Sequence, residues 1–296
     1  MTATLSRGEQ CARYLVPRPR LCSALDPAVQ PQLEALNGRL FAFYNSEVAA
    51  HYFATAEDIN VEWSPSFLGH WRLKDAVPVG SRVLDLGCGS AHTARHFADR
   101  QIIYTGVDWS AERIERNREA MPQHQFVASS LYDVSLPSDS FDAVVSFYTI
   151  EHLVWPHRLL DQMYRLVRPG GLVAVLCPPF RLKAYLKSFD YGLSARPFAD
   201  KLRSFRLLDA ALHLYQHRVF YPRYLRSHHP RGAAEHRFLI SLDPICLNNT
   251  AWFPDADAVY LADTEEIGDY LAAKGAARVD ELPENGYILM RRGERD

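Results

Sequence analysis

The run Val83-Leu84-Asp85-Leu86-Gly87-Cys88-Gly89-Ser90-Ala91 places an acidic side chain two residues ahead of a Gly-x-Gly pair. Glycine lets a backbone approach a ligand closely, and N–H groups freed where a helix begins point toward it. Several ligand classes use such a loop, so the neighbouring residues must decide among them. A dinucleotide fingerprint needs a third glycine at its sixth position, where His92 stands. Asp85 suits a ligand with a cationic amine better than a pyrophosphate. Asp108 follows about 20 residues on, where a carboxylate can accept from both hydroxyls of a ribose. The plainer readings are a turn or capping carboxylate for Asp85 and an N-cap for Asp108. Cys88 reads as a small space-filler, not as a reactive thiol.

A second group lies at Phe147-Tyr148-Thr149-Ile150-Glu151-His152. A histidine here could take a proton near neutral pH, and Tyr148 could pack against a ligand. The plainer alternative is that Glu151 and His152 open a helix and make structural hydrogen bonds. The adjacent His228 and His229 have no third ligand at metal spacing and read as a surface loop.

These residues need elements to hold them. Arg82–Leu86 is a short buried strand running into the glycines, followed by a helix over 92–100 and a strand over Ile102–Val107. Ser110 can cap a charged helix running to about 120. Phe126–Ala128 and Phe141–Phe147 read as further strands. An amphipathic helix over 156–168 ends at Pro169-Gly170-Gly171, and Leu172–Cys177 is the next strand. Such alternation implies βαβ units and a parallel sheet. It stops after Pro178-Pro179 and resumes with a helix over Thr264–Lys274 and strands over Ala277–Glu281 and Gly286–Arg291. Upstream, residues 1–30 read as a loose arm, and a helical pattern rich in aromatics, including Tyr44, runs from about 31 to 78.

With these blocks in place, the chain resembles the class I, seven-strand S-adenosylmethionine (SAM)-dependent methyltransferases. The likeness is strongest to the small-molecule branch related to ubiquinone-biosynthesis enzymes. Val83–Ala91 resembles the first motif and Gly106-Val107-Asp108-Trp109-Ser110 the ribose-binding strand. Phe141–Ser146 resembles the fourth strand, with Ile150-Glu151-His152-Leu153 as its continuation, and Arg168-Pro169-Gly170-Gly171 the turn before the fifth. The match covers about residues 80–178 and, weakly, 262–292. The resemblance implies a Rossmann-like, mostly parallel seven-strand sheet whose last strand is antiparallel, with N-terminal helices and a largely helical inserted cap. It implies SAM as cofactor, leaving S-adenosylhomocysteine. Asp85 would face the methionine amine, Gly87 and Gly89 would pass the methionyl and ribose portions, Asp108 would hold the ribose and Trp109 would lie on the adenine. Ser146 would lie near the methionyl group. Ser130 and Leu131 stand where the family often has Asp-Ala, which shifts adenine contact toward Ser130 and the backbone. Some relatives bind a metal through Glu-x-x-Glu-His; here Tyr148 takes the first position, so no metal is expected. His152 and Tyr148 are the catalytic candidates.

Bulk composition bounds the rest. In 296 residues, apolar types make up 48% and the net charge is −2, an ordinary globular balance. The five cysteines are scattered and form no CxxC pair. No apolar run approaches the roughly 18 residues that span a bilayer, so a cytoplasmic protein without an integral membrane segment is expected. The expected domains are an N-terminal arm and helices over 1–78, a cofactor core over 79–179 and 259–296, and an inserted substrate cap over 180–258. Residues 180–240 carry twelve Arg or Lys against four Asp or Glu, interleaved with eleven Phe or Tyr. Such a cap suits an anionic, sugar-linked or aromatic small molecule, methylated at oxygen if His152 is a base. It could equally be a solvated basic face or a homodimer contact. An RNA methyltransferase is the main alternative, although no RNA-binding module is recognisable; a non-catalytic SAM-binding protein is another.

Overall fold

The computed structural model describes residues 20–46, 68–178, 198–215, 237–244 and 258–294, with a few isolated positions besides. Seven strands form one sheet: β2 (Arg82–Leu86), β3 (Ile103–Asp108), β4 (Gln125–Ala128), β5 (Phe141–Phe147), β6 (Val167–Leu176), β8 (Ala276–Leu282) and β9 (Tyr287–Arg292). Their order is β4-β3-β2-β5-β6-β9-β8. The first five are parallel, and β9 runs antiparallel to both its neighbours. The Rossmann-like sheet expected from the sequence is therefore present. The chain winds outward from β2 to β4, then returns to the other side of β2 with β5. That reversal opens a crevice beyond the carboxyl ends of β2 and β5, where open α/β sheets bind their ligands.

Alternation along the strands divides the core between two faces. Leu84, Leu86, Val144, Val173 and Val175 point to one face, where they meet α1 (Gln30–Tyr44), α5 (Pro156–Leu166) and α8 (Thr264–Ala273). Val83, Val145, Ala174 and Leu289 point to the other, against α2 (Leu68–Ala76), α3 (His92–His96) and α4 (Ala111–Ala120). Central strands buried on both faces are mostly apolar, broken after the first residue of β2 only by Asp85 and in β5 by Asp142 and Ser146, which is why both stand out in the sequence. Ser110 caps α4 as expected, its Oγ accepting from the Arg113 N–H.

Several boundaries differ from the sequence reading, three of them by more than a residue or two. The helix over 92–100 is shorter: α3 ends at His96, and a 3-10 turn takes Ala98–Arg100. β6 begins at Val167, ahead of Pro169-Gly170-Gly171. Val167 pairs with Phe141 and Leu172 with Ala143, so the prolyl-glycyl run forms a bulge inside the strand, with Gly170 at φ +72°. The bulge is fastened by Arg168, whose Nε donates to Asp142 at 2.6 Å. Finally, part of the N-terminal arm is ordered. β1 (Leu21–Ser23) pairs antiparallel with β7 (Leu239–Ser241), and Arg20 forms an ion pair with Asp243 at 2.6 Å. A three-residue strand whose partner lies more than two hundred residues away leaves no local pattern to read.

Within 180–258 the described residues give two short helices, α6 (Phe198–Arg203) and α7 (Leu207–Tyr215), and β7. His228, His229 and most of the basic, aromatic stretch lie outside the described residues, as do Tyr52, Phe53, Trp63 and Phe67. Among the described residues no helix is long and apolar enough to cross a membrane.

Candidate active site

A cavity occupies the crevice beyond β2 and β5, and the Gly87–Ser90 loop forms its floor. Gly87 has φ +85°, and its N–H donates to the Val107 carbonyl at 2.8 Å. A Cβ there would fall 2.3 Å from the Thr149 side chain, whose hydroxyl donates to the Gly87 carbonyl. Only glycine meets both conditions. Ala91, buried, holds φ +55°, a left-handed backbone at a residue that is not glycine. Cys88 is buried, and burial raises its thiol well above the ordinary range, with Asp108 and Asp85 adding to the shift. That keeps it protonated, as a space-filler should be.

Asp85, at the end of β2, is 3% exposed and accepts from the Tyr104 hydroxyl at 2.9 Å. Burial pushes its carboxyl up to about 6, against the opposing pull of hydrogen bonds from Thr93 and Tyr104. No ion pair involves Asp85 among the described residues. A buried acid without a countercharge is a standing demand for a cation. Asp108, at the end of β3, is 8% exposed. Its Oδ2 accepts from the Gly89 N–H at 3.0 Å and its Oδ1 from the Ser110 N–H at 2.9 Å. Both oxygens thus brace the loop and the start of α4, while each keeps a second lone pair.

The facing wall is aromatic. Trp109 packs edge-on against Phe41 at 5.5 Å and tilted against Tyr44 at 5.3 Å. Tyr44, in the last turn of α1, also lies 6.2 Å from the His152 ring. His152 closes a 3-10 turn over Ile150–His152, with its Nε2 3.7 Å from Oε1 of the buried Glu151. Tyr148 continues β5 at φ +52°, its N–H held by the Leu176 carbonyl at 2.7 Å. A bulky residue in that region stores strain, a condition concentrated at ligand sites.

Residues 84–175 match a family model described as a methyltransferase domain. Residues 84–175 therefore form a methyltransferase domain. It is 29% identical over 135 residues to a malonyl-[acyl-carrier protein] O-methyltransferase of Enterobacter lignolyticus (strain SCF1), covering 45% of this chain and 53% of that protein. It is 27% identical over 99 residues to a demethylmenaquinone methyltransferase of Paenarthrobacter aurescens (strain TC1), covering 33% of this chain and 39% of that one. The chain thus spans about half or less of the length of these curated relatives. Among solved structures, the 1,6-didemethyltoxoflavin-N1-methyltransferase of Burkholderia thailandensis superposes with a TM-score of 0.52 over 88% of this chain and 91% of that chain, at 13% identity. That likeness shows the fold.

Within the methyltransferase domain, Asp85, Gly87, Gly89, Asp108, Trp109, Leu131, Tyr148 and His152 all border the one cavity. Two expected residues do not. Ser130 is exposed, and its hydroxyl accepts from the Tyr132 N–H at 3.2 Å; Leu131 lines the cavity in its stead. Ser146 is fully buried, and its hydroxyl donates to the Leu86 carbonyl at 2.8 Å, so it ties β5 to β2. Phe147 and Thr149 line the wall instead. The sequence reading gave no role to Tyr44, His70, Thr93 or Arg113, which also line the cavity. Arg113 stands three residues past the Ser110 cap, so the helix start could have pointed to it; His70 left no such signal.

Proposed function

We propose that this domain transfers a methyl group from SAM to the oxygen of a small-molecule acceptor, with His152 as general base. The observation that carries the reading is the single cavity joining buried Asp85, the Gly87–Gly89 cradle and Asp108 on one side to Tyr148 and His152 on the other. The residues fit the cofactor. Asp85 offers an uncompensated carboxylate for its ammonium, Asp108 offers lone pairs to a ribose, and Trp109 offers an apolar face to adenine.

SAM, when bound, supplies an electrophilic methyl on a sulfonium, and the bond that breaks leaves its electron pair on sulfur. The chain supplies position and a proton acceptor. The acceptor hydroxyl would give its proton to the His152 imidazole as the new carbon–oxygen bond forms. The Glu151 carboxylate beside that ring sits where positive charge would then develop. Tyr148 and Tyr44 would hold the acceptor against the methyl group. The basic, aromatic composition of residues 180–240 supports an anionic, sugar-linked or aromatic acceptor. The O-methyltransferase named among the relatives supports transfer to oxygen.

Titration calorimetry of the whole chain against SAM, S-adenosylhomocysteine and NAD tests the cofactor. Binding of both sulfur nucleosides and not of NAD is expected; the reverse would overturn the reading. Transfer of labelled methyl from SAM into a panel of hydroxylated anionic and aromatic metabolites then tests the acceptor, and label found only in RNA would overturn it.

A further inference from the structure

Far along the chain from the cavity-lining residues, α6 and α7 meet at a tight turn. The Arg206 N–H donates to the Lys201 carbonyl at 2.9 Å and the Phe205 N–H to the Leu202 carbonyl at 3.1 Å. That pair of bonds is a Schellman cap, and Phe205 takes its left-handed position, at φ +56°, where glycine is the usual occupant. The turn thereby projects a phenyl ring that is 87% exposed. Beyond it, Leu207, Leu208, Ala211, Leu214 and Tyr215 are all exposed. They recur at i, i+1, i+4, i+7 and i+8, so they share one face of α7 and continue the apolar surface from the turn. A helix packed on its own protein turns such a face inward; α7 turns it out. The inward side of the helix pair is held instead by Lys201 and Ala210, both buried.

We propose that this helix pair docks on the surface of an anionic lipid bilayer, with Phe205 and the apolar face of α7 entering the headgroup boundary. The proposal goes beyond the cofactor reading and does not depend on it. Two observations choose a bilayer as the occupant. The first is charge. Leu202-Arg203-Ser204-Phe205-Arg206-Leu207-Leu208 sets two exposed arginines beside the projecting ring and holds no acid, and residues 180–240 carry twelve Arg or Lys against four Asp or Glu. Such a basic setting repels a second copy of the same face and attracts anionic headgroups. The second is form. Phe205, and Leu208 at 77% exposure, project as points of insertion, whereas a groove for a partner's side chain would bury the residues that line it. α7 has nine residues, about half the length that crosses a bilayer, so it would lie in the interface and not span it.

The test is co-sedimentation of the whole chain with two kinds of vesicle, phosphatidylcholine alone and phosphatidylcholine mixed with phosphatidylglycerol. The native protein should bind the anionic vesicles about tenfold or more tightly than the neutral ones, and added salt should erode that preference. No binding to the anionic vesicles, or equal binding to both, would overturn the proposal. The double variant Phe205→Ser, Leu208→Ser keeps every charge and removes the two projecting apolar groups. It should lose about tenfold or more in binding to the anionic vesicles, with its melting temperature unchanged because both side chains are exposed. Undiminished binding would overturn the proposal. A melting temperature lowered by several degrees would assign the face to another segment of this chain. A native dimer in sedimentation velocity that the variant converts to monomer would assign it to a second copy. Either result would overturn the bilayer as occupant.

Discussion

The two walls of the cavity are assembled differently. The wall of β2 and β3 comes from consecutive strand ends, and its groups are fastened by the backbone: Gly89 and Ser110 both donate to Asp108, and Val107 accepts from Gly87. The facing wall is gathered from segments far apart in sequence. Tyr44 comes from α1, His70 from α2, and Tyr148 and His152 from the end of β5. Even the turn carrying His152 is braced from a distance, since the Glu151 carbonyl accepts from the N–H groups of both Val259 and Tyr260. The difference teaches that one wall is a local device, suited to an unvarying ligand. The other is a composite, open to change through any of its contributors.

Variants can break this contrast. Gly87→Ala should have the largest effect, because the new methyl meets Thr149 at 2.3 Å on a backbone at φ +85°. Loss of measurable SAM binding and a destabilisation of about 1–3 kcal/mol or more are expected by calorimetry and thermal melting. His152→Ala belongs to the opposite wall and should separate the two: turnover falling by about 10²-fold or more with SAM affinity unchanged, read from kcat and a direct titration. Unchanged kcat would return His152 to a structural role. Asp108→Ala should weaken SAM by about 1.5–3 kcal/mol, since a charge-assisted partner and the brace on the loop go together.

A pH series sharpens the first wall further. The Asp85 carboxyl is raised to about 6 in the unliganded protein, and a bound ammonium favours its ionised form. Binding must therefore release a proton below that value. SAM affinity should rise with pH up to about 6 and then level, falling about tenfold by roughly pH 5. Asp85→Asn should bind weakly with no such dependence, and a slope that survives in it would assign the titration elsewhere. The smallest effect is expected at Ser130→Ala. Its hydroxyl serves the Tyr132 N–H, so SAM affinity should stay within about twofold, whereas Leu131→Ala exposes the cavity wall.

The sequence was informative where one residue's neighbours decide its setting. Buried parallel strands, the glycines between β2 and α3, and the capping serine of α4 follow from local pattern, and so the sheet and the Asp85–Asp108 wall were legible. Ser130 and Ser146 show where that stops. Both lie in the expected stretch of chain, yet a hydroxyl can turn to the nearest backbone group as readily as to a ligand, and neither spacing nor type records the choice. Tyr44 and His70 were illegible for another reason. Their value arises only when α1 and α2 fold back over the sheet, and a buried histidine in a helix looks the same whether it fills a core or lines a cavity. The β1–β7 pairing joins residues more than two hundred apart, beyond the reach of any periodicity.

A crystal structure of the whole chain with S-adenosylhomocysteine tests the central claim most directly. The account predicts the ribose hydroxyls within hydrogen-bond distance of Asp108, the amine on Asp85, and the sulfur facing Tyr148 and His152. A ligand seated elsewhere, or seated here with its ribose away from Asp108 and its amine away from Asp85, would contradict it.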